Sequence, residues 1–418
     1  TCIFLFYNYN CVYEYKFFCE KERLIMSNCL IIIDHSFRTN SLIFHKALSA
    51  YDKACVLHVS NYYLGEKFKD YYKNSNNDFY YKTLDDFSKQ LLEKYSLKLR
   101  VLKSKSAVDI IEDFCLKEKV EKVFYDKPLF SEKLLFKKIK VEEIDSDSYI
   151  DSCKKMTAKS RWIFWAKNRL TNSEVFCDYR ELNDFGNIGD IHITNDTNAK
   201  EIRNEVCNAY SRFKNKLTLY HESRNEREGS TKLSKFLHHG LIDARVITHI
   251  ILSLTDDFIE KDHPTIPILR QLAFREISIE KCRHKEIGLL DSAKEISEKI
   301  LDKKSLDNLF NNEFDPVFTK EQFMNGNTNN QLLNREIKLC IENRWMPNRL
   351  RMWLSGECYW GLGGGIKTLE TLIEFFNKYS EDGQSPNNII SCTECMRMSY
   401  GKVMKYNEKR TFKLLADD

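Results

Sequence analysis

No cysteine framework, no strong charge of one sign and no glycine-rich nucleotide fingerprint mark this chain of 418 residues. Its 14 cysteines are scattered singly, without the spacing of a disulfide-stapled secreted domain, and read as reduced and mostly buried. The one close pair, Cys392 and Cys395, offers half of a metal site and no second pair to complete it, so no metal is expected. The segment from Thr1 to Ile25 is aromatic and apolar, but Asn8, Asn10, Glu14, Lys16 and a Glu-Lys-Glu-Arg run interrupt it. That pattern gives neither a signal-peptide core nor a membrane span, and no membrane partner is expected. Position 1 is not Met; Met26 reads as the natural start, and residues 1–25 as a non-native or disordered extension. A net charge of +4 permits a polyanionic partner without demanding one. No G-x-G-x-x-G follows the first strand-like run. Gly361-Leu-Gly-Gly-Gly365 lacks the Gly-Lys-Ser/Thr of a phosphate loop and reads as a flexible turn.

What is present points to a folded chain of two domains. An apolar fraction of 42% and a charged fraction of 30% are those of a globular protein, and the length exceeds one ordinary core. Cys29 to Asp34 is a short, unbroken β-branched run, the pattern of a strand buried on both faces. Residues 54–60, 97–101 and 120–125 repeat it, with helical periodicity over 84–95 and 106–117 between them. This alternation predicts a doubly wound parallel α/β domain over residues 26–140. A looser stretch, 141–198, carries an aromatic-basic patch at 161–167 and a Gly-, Asn- and Asp-rich loop, and reads as the interdomain connection. From 199 to 418 nearly everything reads as helix, which predicts an all-α second domain.

Four segments of the helical half carry specific strings. Tyr220-His-Glu-Ser-Arg224 precedes Gly229-Ser-Thr-Lys-Leu-Ser-Lys-Phe-Leu-His-His-Gly240. A Ser/Thr-rich turn opening a helix offers hydroxyls and backbone N–H groups to a diphosphate, or simply caps the helix. Ile268 to Ile277 mixes Arg270, Gln271, Phe274 and Arg275 into an apolar helix, which alone fits any amphipathic helix. Asn343-Arg-Trp-Met-Pro-Asn-Arg-Leu-Arg-Met352 is the most specific string, and Asp382-Gly-Gln-Ser-Pro-Asn-Asn388 follows it.

Together, in this order and spacing, these segments resemble the FAD-binding region of the DNA photolyase and cryptochrome family. The resemblance implies an all-α FAD-binding domain with FAD held by Tyr220, Ser230, Thr231, Lys232, Leu233, Ser234, Arg275, Asn348, Arg351, Asp382, Gln384, Asn387 and Asn388. It places Arg351 near the isoalloxazine ring, where a cation stabilises a reduced flavin, paired with Asp382. It sets Asn387 facing flavin N5, where a neutral amide suits the reduced ring of repair enzymes. Gln271, Asn348, Met352 and Asn387 become the catalytic candidates, and Arg224, Gln271, Phe274, Trp345 and Met352 the contacts to a pyrimidine dimer in DNA. Asn348 and Met352 stand where enzymes for (6-4) photoproducts carry histidines, which favours cyclobutane dimers. Arg224 and Arg275 are candidates for phosphate contacts at the cavity mouth. In the other half, Asp34-His-Ser-Phe-Arg-Thr-Asn40 resembles an N-terminal signature of the family in degraded form.

The implied activity is blue-light-driven splitting of pyrimidine dimers by a monomeric, cytoplasmic protein, associated with the nucleoid in a bacterium or nuclear in a eukaryote. The antenna chromophore is not specified. Several positions depart from the family: Gln271 replaces its glutamate, Phe274 its stacking tryptophan, and Ser391 and Thr393 stand where relay tryptophans are expected. Trp353, Tyr359 and Trp360 form another relay or simply fill a core. Gln271 and the missing relay favour a cryptochrome-like photoreceptor without repair activity, whereas Asn387 and Met352 favour repair. An iron–sulfur member would have only Cys392 and Cys395 suitably close. The basic run from Lys402 to Lys413 reads as a solvated surface ahead of a DNA contact.

Overall fold

The protein was analysed as a computed structural model, which describes residues 28–60, 76–104, 106–130, 134–146, 155–167, 182–217, 219–223, 229–253, 263–289, 291–311 and 313–399. The 1–25 segment, Arg224 and the 402–413 basic run lie outside these.

The first half is a twisted sheet covered on both faces. Its strands are β1 (Asn28–Ile33), β2 (Lys53–Val59), β3 (Leu99–Leu102), β4 (Lys122–Asp126), β5 (Val141–Ile144), β6 (Asn183–Asp184) and β7 (Asp190–Ile191). They run in the order β5-β4-β1-β2-β3-β7, with β6 added to the start of β2. All pairs are parallel except β3 with β7. Period-two alternation explains the burial. Cys29, Ile31 and Ile33 pack with Phe44 and Phe87, while Leu30 and Ile32 pack with Ile111 and Phe114 on the other face. Those partners come from α1 (Leu42–Ala50), α2 (Asn76–Tyr95) and α3 (Ala107–Lys117).

The stretch expected to be only a connection does more. It supplies the edge strand β5 and the short β6 and β7, with Arg100 gripping Asp184 through two hydrogen bonds of 2.7 and 2.9 Å. It also holds α4 (Ala158–Lys167), whose Arg161, in the aromatic-basic patch, is fully buried against Glu276 and Glu280 of the helical half.

The second half is helical: α5 (Asp196–Lys216), α6 (Tyr220–Ser223), α7 (Ser234–His238), α8 (Ala244–Ser253), α9 (Ile266–His284), α10 (Ala293–Ile300), α11 (Lys303–Asn311), α12 (Lys320–Met324), α13 (Gln331–Asn343), α14 (Asn348–Gly361), α15 (Ile366–Tyr379) and α16 (Pro386–Ser399). Its largest core gathers Leu350, Leu354 and Tyr359 of α14 with Leu369, Leu372 and Phe376 of α15 and Met396 of α16.

Several contacts among the described residues lock the halves together. Helix α5 lies along α2, joined by Arg203–Asp86 at 2.5 Å and Lys82–Glu201 at 2.8 Å. The loop after β1 is fixed by the fully buried Asp126, which accepts from the backbone N–H of His35 at 3.1 Å and of Ser36 at 2.9 Å. Arg38 in that loop donates to the Gly240 carbonyl at 2.8 Å and pairs with Asp243 at 3.1 Å. Gly240 is required there: its φ is +63°, and a Cβ would meet the His35 carbonyl oxygen at 2.0 Å. Finally, the chain after β4 enters the helical half. Leu129 and Phe130 pack with Ile279, Cys282 and Ile389, while Arg283 donates to the carbonyls of Pro128 and Lys127. Loops after β1 and β4 form the crevice where open α/β sheets usually bind ligands. In this chain the helical half occupies it.

Candidate functional site

A part-open cleft, about 980 Å³ with its mouth included, lies in the helical half at the end nearest the sheet. Four separated segments of the helical half build it together with Leu129 of the sheet half, and the four coincide with the strings singled out in the sequence.

The first wall is the turn before α7. Tyr220, Ser230, Thr231, Lys232, Leu233 and Ser234 all line the cleft. Lys232 adopts φ +52°, and its amine sits 5.2 Å above the Trp345 ring across the cleft. The N-cap of α7 is Leu233 and no side chain caps it, so Ser230, Thr231 and Ser234 are not spent on capping. At five residues α7 is too short to contribute a helix dipole, so hydroxyls, backbone N–H groups and cations carry the polarity of this wall.

Helix α9 forms the second wall with Ile268, Gln271, Leu272, Arg275 and Ile279. These recur at three- and four-residue spacing, which places them on one face. Arg275 is half-buried, lines the cleft and donates to the Leu237 carbonyl at 2.9 Å. Phe274 points elsewhere: it is 51% exposed on the outer face of α9 and does not line the cleft.

Trp345, Met346 and Asn348 at the start of α14, with Arg351, make the third wall. Met352 is half-buried and outside the lining. The fourth segment brings Asp382, Ser385, Pro386 and Asn387. Arg351 and Asp382 pair at 2.6 Å, both almost wholly buried. Arg351 also donates to the Met346 carbonyl and to the Asn388 side-chain oxygen, each at 2.9 Å, and lies 5.1 Å over the Phe376 ring. Asn388 is thus a buried brace for Arg351, and Gln384 sits half-buried in the same turn without lining the cleft. Burial alone would raise the Asp382 carboxyl. Arg351, with hydroxyls of Ser380 and Ser234, outweighs that and holds it at about 2.

The sequence reading missed several lining residues, above all Leu129, Leu237, His238 and Met346. Leu237 and His238 lie three and four residues past Ser234, a helical repeat that marks them in retrospect. Leu129 comes from the sheet domain, and no local pattern announces it. Burial, then the neighbouring His239, holds His238 well below the usual imidazole range, so the cleft presents it neutral.

The relay positions are plain: Thr393 is fully buried and bonds to the Ile389 carbonyl at 3.0 Å. Tyr359 and Trp360 touch edge to face at 5.3 Å, Trp353 lies in the core with Tyr359, and Trp360 is 46% exposed. Cys392 and Cys395 are buried thiols, Cys395 pushed up to about 12 by burial, and no metal-holding cluster exists among the described residues. No described helix is long and apolar enough to cross a membrane.

No family model and no curated protein matches the sequence. Solved structures do. A bacterial class III photolyase from Agrobacterium tumefaciens superposes with a TM-score of 0.63 at 12% identity, covering 95% of this chain and 88% of that one. A cryptochrome from Synechocystis superposes with a TM-score of 0.68 at 13% identity, covering 93% and 86%. With its mostly parallel sheet, its helical second half and a cleft in that half which Leu129 of the first half helps to line, the chain has the fold shared by photolyases and cryptochromes.

Proposed function

We propose that the protein is a member of the photolyase and cryptochrome family that binds FAD in this cleft and uses blue light to split cyclobutane pyrimidine dimers in DNA. The observation that carries the reading is the convergence of Ser230–Ser234, Gln271–Arg275, Trp345–Arg351 and Asp382–Asn387 on one cleft, although they are spread over more than a third of the chain. Nothing in an ordinary helical core demands that these polar residues meet.

The donor set fits FAD. A dinucleotide flavin needs cations and N–H or O–H donors for its diphosphate and a partly apolar slot with a few polar contacts for its ring. Lys232, Arg275 and the Ser230 and Thr231 hydroxyls answer the first need, and Leu129, Leu272, Ile279 and Met346 beside Arg351 and Asn387 answer the second. When bound, the reduced flavin would supply the electron that opens the dimer. The chain's own share is to hold Arg351 cationic beside a deprotonated Asp382, and to offer Gln271 and Asn348, both exposed at the cleft, to a base edge. A flipped-out, damaged base costs least to extrude.

The second reading is a blue-light receptor without repair. Phe274 favours it, because the expected stacking residue stands outside the cleft. Purified protein is expected to show flavin absorption and to release FAD on denaturation. After chemical reduction it should remove dimers from an oligonucleotide in the light. Bound FAD without dimer loss supports the receptor reading, and absence of flavin after incubation with FAD contradicts both.

A further inference from the structure

We infer that Ser278, which does not line the cleft, is a positioning residue that turns the Asn387 amide so that its carbonyl oxygen faces the ligand. This rests on the FAD reading above. Ser278 is buried on α9, and its hydroxyl lies 2.9 Å from the Phe274 carbonyl and 3.3 Å from the atom placed as the Asn387 amide oxygen, Oδ1. A hydroxyl has one proton and two lone pairs. The proton belongs to the shorter contact, the Phe274 carbonyl one turn back. What remains toward Asn387 is lone-pair density. An amide oxygen there meets oxygen, whereas an amide N–H donates to it, and the two ends of an amide are assigned by such partners. The Asn387 Nδ2–H therefore donates to Ser278, and Oδ1 is left at the other end. That end has no bonding partner among the described residues, and Asn387 borders the cleft.

The consequence is redox preference. An oxidised isoalloxazine carries a single ring N–H, and reduction adds others, so a fixed acceptor at its edge favours the reduced ring. Without Ser278 the amide can turn its NH₂ toward the ring, which suits the oxidised form. The Arg351 cation acts in the same direction as the acceptor but through charge, and is independent of Ser278.

The test is the midpoint potential of FAD bound to the full chain, by spectroelectrochemical titration. Ser278→Ala is expected to weaken reduced relative to oxidised FAD by about tenfold, a downward shift of about 30 mV for a two-electron couple. Ser278→Thr, which keeps the acceptor, should stay at the parental potential. Ser278→Cys, a weaker acceptor, should shift the same way by less, and it serves if the alanine variant fails to fold. In an Asn387→Ala background the Ser278 substitutions should have no further effect. An unchanged potential in Ser278→Ala and Ser278→Cys, or a shift that persists without Asn387, overturns the inference while leaving the FAD reading standing. A parent protein that takes up no FAD overturns both, and is seen before any variant is compared.

Discussion

Arg351 and Asp382 are the residues on which the cleft floor depends. Both are buried, and Arg351 satisfies four acceptors at once, so removing its carboxylate leaves a cation without its counter-charge. Asp382→Asn is expected to lower stability by about 3–5 kcal/mol, measured by denaturant unfolding. The pH dependence follows from the sign of the shift. Asp382 sits at about 2 in the folded protein, below its value of about 3.9 in an unfolded chain. Its contribution is therefore full above pH 4 and fades as pH falls toward 2, because the unfolded chain takes the proton first. His239 acts in the same direction at higher pH. Burial lowers it from 6.5 to about 4, so the unfolded chain is protonated first and stability declines between those two values. His239→Gln should flatten the thermal-stability profile between pH 6.5 and 4; an unchanged slope there would show that His239 does not control it.

Among the elements, the loop after β1 and the turn at Gly240 join the two halves through Arg38. Replacing Gly240 by Ala puts a Cβ 2.0 Å from the His35 carbonyl oxygen at φ +63°. The clash and the strained backbone together should destabilise by about 3 kcal/mol or more. Limited proteolysis is expected to cut between the two halves sooner in this variant than in the parent. What the sequence disclosed at this scale was local. The β-branched run at Cys29–Ile33 and the helical periodicity over 266–279 announced β1 and α9, because burial on two faces or on one stripe leaves a pattern in neighbouring residues. Strands β6 and β7 have two residues each and leave none, so their segment read as connection. In the sequence Arg161 reads as part of an aromatic-basic patch in the interdomain connection. Only its distant partners Glu276 and Glu280 reveal it as a buried strut, and contacts at that separation have no local signature.

At the scale of the whole molecule, the sheet domain completes the cleft, with Leu129 as part of its wall. Its approach through the chain after β4 could not be read from sequence, whereas the four cleft-building strings could be read together from their order and spacing, although Ile268 to Ile277 alone fits any amphipathic helix. If the cleft mouth engages DNA, affinity for a dimer-bearing duplex should fall linearly in log–log form with salt, and a flat salt response would speak against phosphate contacts. Counting pyrimidine dimers in an oligonucleotide mixed with reduced, FAD-loaded protein, in blue light and in darkness, decides whether this is a repair enzyme. Dimers are expected to disappear only in the light; FAD-loaded protein that leaves them intact under illumination rules repair out.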